Sequence, residues 1–424
     1  MNSRWQRSGR VMVTGIGVVS PNGLGVAEFT KNLRAGQSGI DWIHAFDTSP
    51  LRVGFAGHVE RFKPECVMDA RDLRRVGRLV PLAIAASREA LAMAGIICDP
   101  ANVPQSQDMA VLLGTGGGAL GFIEPQYKAY FTGDGKYSPF TVPAGTHGNI
   151  SSEISIALGL RGFSHVVTTG CASSTDAIGY AMRHIQRGDV PMVLAGGTDA
   201  PITEGILKGF ELMRILAAPT DPISRASRPF NRDRDGFVLG EGSWMFLLED
   251  ADHAEKRGAT VLAEVCGWGS TCDAYHRVAP APDVVQSARA MSMAMEDAGI
   301  GPSQIDYVNL HGTGTQMNDV LETAGILRAL GPRATEIPCS STKSMIGHPQ
   351  GACGAAGMAA TILSLRAGFI HPTINLSDPD PLCTLNYVPN KPIASNAAQW
   401  ALCNCIAFGS KNSALVIRVM PGPI

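Results

Sequence analysis

The sequence predicts a layered α/β fold built from a duplicated core. Three observations point there. Short β-rich runs alternate with helical stretches along all 424 residues, a length that suits two domains or one large duplicated unit. Glycines and polar or proline residues stand where helices should stop, as at Gly188 and Gly299. Finally, two distant segments share one plan. HVVTTG-C-ASSTDAIGYAMRHIQRG (165–188) and EIPCSSTKSMIGHPQ-GACGAAGMAATILSLRAG (336–368) each run from a β-rich stretch through a turn of reactive residues into a small-residue helix.

Taken in order, the expected strands are 11–20, 109–116, 165–170, 190–197, 243–250, 305–312 and 414–420, each rich in β-branched or aromatic residues. The expected helices are 78–94, 172–187, 284–298, 319–330 and 352–367. The segment 117–165, with turn signals at GDGKYSP and VPAG, reads as an insertion covering the core or a partner. Division near residue 258 gives halves 1–258 and 259–424, and brings the two reactive turns together.

Composition narrows the function. The chain is 45% hydrophobic and 17% charged with a formal net charge of −2, which argues against a nucleic-acid binder acting through bulk charge. The apolar stretches in 79–97 and 352–370 are interrupted by charge or glycine, short of the roughly 18 residues of a membrane span. The N-terminal MNSRWQRSGR lacks the apolar centre of a signal peptide. Ten cysteines without a CxxC pair read as reduced thiols, so a cytoplasmic location is expected. No Cys/His spacing suggests a metal, and none is expected.

Cys171 is the cysteine that needs its own account. It follows a β-branched strand and Gly170 and precedes a helix, the arrangement of a nucleophile elbow. A helix N-terminus favours the thiolate. His311, in VNLHGTGTQMND, sits at a strand end, where parallel sheets present their sites. His348 follows Lys343 by five residues in a glycine-rich stretch. A reactive thiol and two histidines suit covalent acyl chemistry with a stabilised oxyanion or enolate.

These residues lie in GCASS, RPFNRDRDGFVLGEG, DAYH, HGTGTQMNDVLE, KSMIGHPQGACGAAG and AFGSKN, in that order. The set resembles the elongating β-ketoacyl-acyl-carrier-protein synthases of the thiolase superfamily over essentially the whole chain. The resemblance implies a five-layered α-β-α-β-α fold with a cap in the first half. It implies decarboxylative condensation of an acyl group on Cys171 with malonyl-acyl-carrier-protein, with His311 and His348 stabilising the enolate. The Cys171 and Phe408 N–H groups would hold the oxyanion, Phe408 would gate, and Lys343 would pair with Glu322. Thr313 and Thr315 would contact phosphopantetheine, and Arg71, Arg74 and Arg75 would dock the carrier protein. No cofactor beyond the carrier's phosphopantetheine is implied. A homodimer is expected, with a heterodimer including a second synthase-like subunit as the alternative. A chain-length-type partner subunit is a competing reading, disfavoured because Cys171, His311, His348 and Lys343 are all present. A coenzyme A thiolase-like acyltransferase is another, disfavoured because a histidine replaces its base cysteine. Three departures stand out. Ser410-Lys411 replaces Gly-Thr in the gate loop, Val278 and Ala279 replace a hydroxyl pair, and Gly117 replaces a bulkier acyl-pocket residue. The last points to a specialised stiff, branched, unsaturated or aryl chain.

Overall fold

The computed structural model describes residues 9–97, 107–395 and 397–422; Cys98 falls outside them. Among the described residues one twelve-stranded mixed sheet carries the fold. Its first half runs Val11–Ser20, Gly242–Asp250, Met192–Asp199, Met109–Gly114, Ser164–Val167. Its second half runs Ala263–Cys272, Lys411–Val419, Trp400–Ala407, Tyr307–Asn309, Pro338–Ser340, followed by Asn386–Tyr387, and the twelfth strand, Gly23–Leu24, pairs with Val11–Ser20 off this path. Both halves use the same pairing. The first strand meets the last antiparallel, the next pair is also antiparallel, and the strands towards each sheet edge are parallel. Val11–Ser20 and Ala263–Cys272 join the halves antiparallel.

The duplication extends to side-chain size. A Cβ added at Gly15 or Gly17 would lie 2.0 or 1.8 Å from the carbonyl oxygens of Ala90 and Ala86, on helix Leu79–Met93. At Gly267 and Gly269 it would lie 2.1 Å from those of Ala294 and Ala290, on helix Val285–Asp297. Each leading strand is thus bare where its helix crosses it, the close backbone approach that only glycine permits.

Three apolar cores separate five layers. Leu79–Met93 and Asn149–Leu158 cover one outer face, with Leu82, Ile84, Ile150 and Ile154 buried against Val111 and Leu113. Val285–Asp297 and Gln316–Leu330 cover the other. Ser173–Arg187 and Cys353–Arg366 form the middle layer, Ala177, Ile178 and Met182 packing with Ala355, Met358 and Ile362. The two helices of the repeated sequence plan are therefore the central pair. Burial on both sides explains why Cys353–Arg366 lacks a polar face.

The expected insertion is only partly one. Asn149–Leu158 belongs to an outer layer, while Leu120–Thr132 and Thr141–Gly145 project and leave Tyr130, Phe131 and Val142 exposed. No helix among the described residues is long and apolar enough to cross a membrane.

Candidate active site

Cys171 occupies a 3-10 turn, Gly170–Ala172, between strand Ser164–Val167 and helix Ser173–Arg187. The turn needs a left-handed residue at Gly170 (φ 66°), whose open side faces Phe408 and Ala407. Ser173 fixes the turn, its hydroxyl donating to the Thr115 and Gly170 carbonyls and accepting from the Thr169 N–H.

The fold brings Cys171, His311 and His348 together: their reactive atoms all lie within 4.8 Å of one another. All three border a cleft of about 230 Å³ whose walls include Phe408, Thr313, Thr315, Ile406 and Phe237. The imidazoles stand nearly perpendicular, centroids 5.4 Å apart. His348 Nδ1 is buried with no hydrogen-bond partner among the described residues. Burial drives both histidines below their ordinary value, His311 to about 3, with Lys343 adding to the effect. Both rings are therefore neutral near pH 7.

Burial also pushes the Cys171 thiol up to about 12, Cys353 adding to it while Lys343 and the Phe408 N–H pull the other way. The expected thiolate at a helix terminus is not the resting form. Desolvating a fully buried sulfur outweighs the partial charge of one helix end. The Phe408 N–H does reach this sulfur, as an oxyanion donor would.

Lys343, nearly buried, does not pair with Glu322, contrary to expectation. Its Nζ donates to the His311 carbonyl at 2.6 Å and approaches His311 Nδ1 at 3.3 Å. Glu322 instead accepts from the N–H groups of His311 (2.6 Å) and Gly312 (2.7 Å) and from Asn404 Nδ2 (2.7 Å). Those donors satisfy a carboxylate that burial raises to about 7. Its role is to shape the His311 loop rather than to neutralise Lys343.

Thr313 and Thr315 both line the cleft, their hydroxyls 3.0 Å apart, and Thr315 also caps helix Gln316–Leu330. Gly117 lies outside that lining; its N–H donates to Asp199 at 3.0 Å. A side chain there would first meet Asp199 Oδ1 at 3.6 Å. Of the arginines, Arg71 and Arg74 are exposed. Arg75 pairs with Asp72 at 2.8 Å and covers the Phe140 ring, 4.9 Å from its centroid.

Sequence reading missed Asp199. Its carboxylate accepts from Thr115 Oγ1 and from the N–H groups of Gly116, Gly117 and Gly351, clamping the 115–117 turn to the one after His348. It also missed Cys353 and Cys405. With His311 they form a second cluster whose ligand atoms lie within 4.8 Å of one another. Burial pushes the Cys353 thiol up, but its hydrogen bond with Cys405 and the Lys343 charge outweigh that and leave it well below its usual value. The absence of metal-ligand spacing in sequence therefore did not exclude ligand groupings, because elements far apart in the chain, a strand end, a helix start and a second strand, supply them.

Two models of one family cover most of the chain: beta-ketoacyl synthase, N-terminal domain, over residues 8–254, and its C-terminal domain over 262–377. The 3-oxoacyl-[acyl-carrier-protein] synthase 2 of Vibrio cholerae is 40% identical over 413 residues, covering 97% of this chain and 99% of that protein. The protein of the same name from Synechocystis is 38% identical over 410 residues, covering 96% and 98%. The ishigamide ketosynthase/chain length factor superposes with a TM-score of 0.89 at 34% identity, covering 98% of this chain and 100% of that one. A type II polyketide ketosynthase solved with its acyl-carrier protein and bound to the hexaketide gives 0.87 at 31%, with the same coverage.

Proposed function

The chain belongs to the beta-ketoacyl synthase family, and from that premise we propose that it catalyses decarboxylative condensation of an acyl thioester with malonyl-acyl-carrier-protein. The observation that carries this reading is the convergence of Cys171, His311 and His348 on one cleft.

Cys171 sulfur attacks the acyl thioester, the new S–C bond replacing the one to the pantetheine sulfur, which leaves as the thiol with the cysteine proton. The N–H groups of Cys171 and Phe408 stabilise the tetrahedral oxyanion. Malonyl thioester then binds with its carbonyl oxygen against His311 and His348. Its carboxylate leaves as CO2, and the bond's electron pair passes into an enolate held by the two neutral rings. The enolate carbon attacks the acyl-cysteine, Cys171 leaves, and a 3-oxoacyl thioester two carbons longer departs on the carrier.

Thr313 and Thr315 are placed to receive the pantetheine arm, and the exposed Arg71 and Arg74 to meet an acidic carrier. A cytoplasmic dissociated pathway, fatty-acid or polyketide, with a separate carrier protein suits a chain of this family. The halves 1–258 and 259–424 act together, one carrying the nucleophile and the other both histidines. The exposed aromatic face around Tyr130 and Phe131 suits pairing with a second synthase-type subunit, identical or not. Gly117, outside the cleft lining and beside Asp199, is assigned to the path of a stiff or branched chain that extends past the cleft.

The test incubates the protein with saturated, polyunsaturated and aryl-primed acyl carriers plus malonyl carrier, followed by intact mass. An acyl adduct lost in Cys171→Ala, with a 3-oxo product two carbons longer, is expected. A folded protein that takes no adduct from any chain would reject catalysis and favour a partner-subunit role.

A further inference from the structure

Behind the catalytic ring, Cys353 opens helix Cys353–Arg366 and Cys405 lies in strand Trp400–Ala407. They are 4% and 1% exposed. Their sulfurs are 3.6 Å apart, and His311 Nδ1 lies 3.6 Å from Cys405 Sγ and 4.0 Å from Cys353 Sγ. Both thiols also donate to the Cys171 carbonyl oxygen, at 3.2 and 3.1 Å. Each of the two sulfurs thus lies close to the other, to one ring nitrogen and to one carbonyl oxygen.

Two chemistries use such a pair of thiols, and distance separates them. A disulfide needs the sulfurs at about 2.05 Å, a closure of about 1.5 Å between a helix start and the middle of a strand. A tetrahedral ion with metal–sulfur bonds of about 2.3 Å and metal–nitrogen bonds of about 2.0 Å needs sulfurs about 3.7 Å apart and sulfur and nitrogen about 3.5 Å apart. The sulfur–sulfur and Cys405 Sγ–Nδ1 distances, both 3.6 Å, are those of the ion, and Cys353 Sγ–Nδ1 at 4.0 Å needs about 0.5 Å of closure, far less than a disulfide would. Soft thiolates select cations of the zinc class over hard ones.

We propose that Cys353, Cys405 and His311 Nδ1 form an inhibitory site for a thiophilic divalent cation, with the Cys171 carbonyl oxygen as fourth ligand. On binding, any proton still on either sulfur passes to solvent, and two thiolates balance the charge of the ion. No electron is transferred. His311 is already neutral and sheds nothing. Lys343 gives up Nδ1 and keeps the His311 carbonyl. The ion immobilises His311 and the nucleophile turn, so condensation stops. That inhibition rests on the function proposed above; the binding itself does not.

The test titrates cadmium into the reduced, metal-stripped whole chain, following ultraviolet thiolate-to-metal absorption, and measures zinc per chain after dialysis. One ion per chain is expected in the parent and in Cys171→Ala, with affinity lower by more than roughly 100-fold in Cys353→Ala and Cys405→Ala. Undiminished binding in folded Cys353→Ala, or loss confined to Cys171→Ala, would overturn the site. Should the cysteine variants misfold, X-ray absorption of the zinc-loaded parent decides. Two sulfur ligands with nitrogen or oxygen support the site, and one sulfur or none rejects it. Loss of two titratable thiols without metal uptake would mean a disulfide instead, and would also reject it.

Discussion

Lys343 Nζ donates to the His311 main-chain carbonyl at 2.6 Å and stands 3.3 Å from the same residue's Nδ1. A cation in that position makes Nδ1 an acceptor, which leaves the ring proton on Nε2 as the donor for an enolate oxygen. Lys343 is thus a positioning residue for His311. In Lys343→Ala the tautomer is no longer set, and malonyl decarboxylation should fall roughly 100-fold while Cys171 still takes its acyl group. Arginine should not restore it, since a planar fork does not replace a compact ammonium in a buried slot. The measurement compares CO2 release with adduct formation. An equal fall in both would assign Lys343 to the thiol instead.

His371 gives the clearest pH dependence of stability. It is wholly buried among Tyr307, Ser340, Asn309 and Thr342. Burial lowers it from 6.5 to about 4, against a favourable contact with the Pro372 carbonyl. Below pH 6.5 the unfolded chain binds a proton that the folded chain refuses, so stability is lost as pH falls from 6.5 to about 4, by roughly 3 kcal/mol at the end. Glu322 and Asp199 work the other way. Burial raises them to about 7 and 6, so their share of stability grows as pH falls through those values. A difference between parent and His371→Gln cancels them. Chemical unfolding at several pH values should show the parent-minus-variant stability difference falling by roughly 3 kcal/mol between pH 6.5 and 4; a difference that stays constant over that range would refute the assignment.

The arginine trio should divide. Arg71→Glu and Arg74→Glu should each raise KM for carrier-bound substrate roughly three- to tenfold, leave kcat unchanged, and lose their effect in high salt. Arg75→Glu should also lower the melting temperature, because it puts a carboxylate beside Asp72 and removes the cation from the Phe140 face. Steady-state kinetics with carrier-bound and free pantetheine thioesters separates docking from folding.

The sequence showed the layers and singled out Cys171, His311 and His348, which the fold brings to one cleft, because each sits in a local pattern: β-branched strand, glycine turn, capped helix. It hid the strands Ala263–Cys272 and Trp400–Ala407. The first is interrupted by Gly267 and Gly269, whose purpose is the helix pressed on them, and the second mixes cysteine and asparagine into a fully buried ladder. The Lys343–Glu322 pairing failed for a related reason. The resemblance implied it, but Glu322 is taken up by the N–H groups of His311 and Gly312. Asp199, Cys353 and Cys405 are unremarkable in sequence and acquire meaning only when two distant turns meet.

Ser410 shows how this chain alters a loop that resembles a gate. Its φ is 63°, in the left-handed region where the related pattern carries glycine. Its hydroxyl donates to the His276 carbonyl at 2.7 Å and accepts from the His276 and Tyr275 N–H groups at 3.1 and 3.4 Å. The Gly409 N–H donates to the Arg277 carbonyl, and Asn412 Nδ2 donates to Asp273. The Phe408 turn is therefore tied to 273–277, and His276, Val278 and Ala279 form the opposite rim of the cleft. Ser410→Gly removes strain of about 1–3 kcal/mol and loses hydrogen bonds worth about 0.5–1.5 kcal/mol each, so the melting temperature should move little. Mobility should change more. Amide exchange across 408–411 should quicken, and kcat/KM for the bulkiest acyl chain should rise relative to a straight one, since the gate yields with less resistance. Unchanged exchange together with an unchanged ratio would show that the tether does not control Phe408.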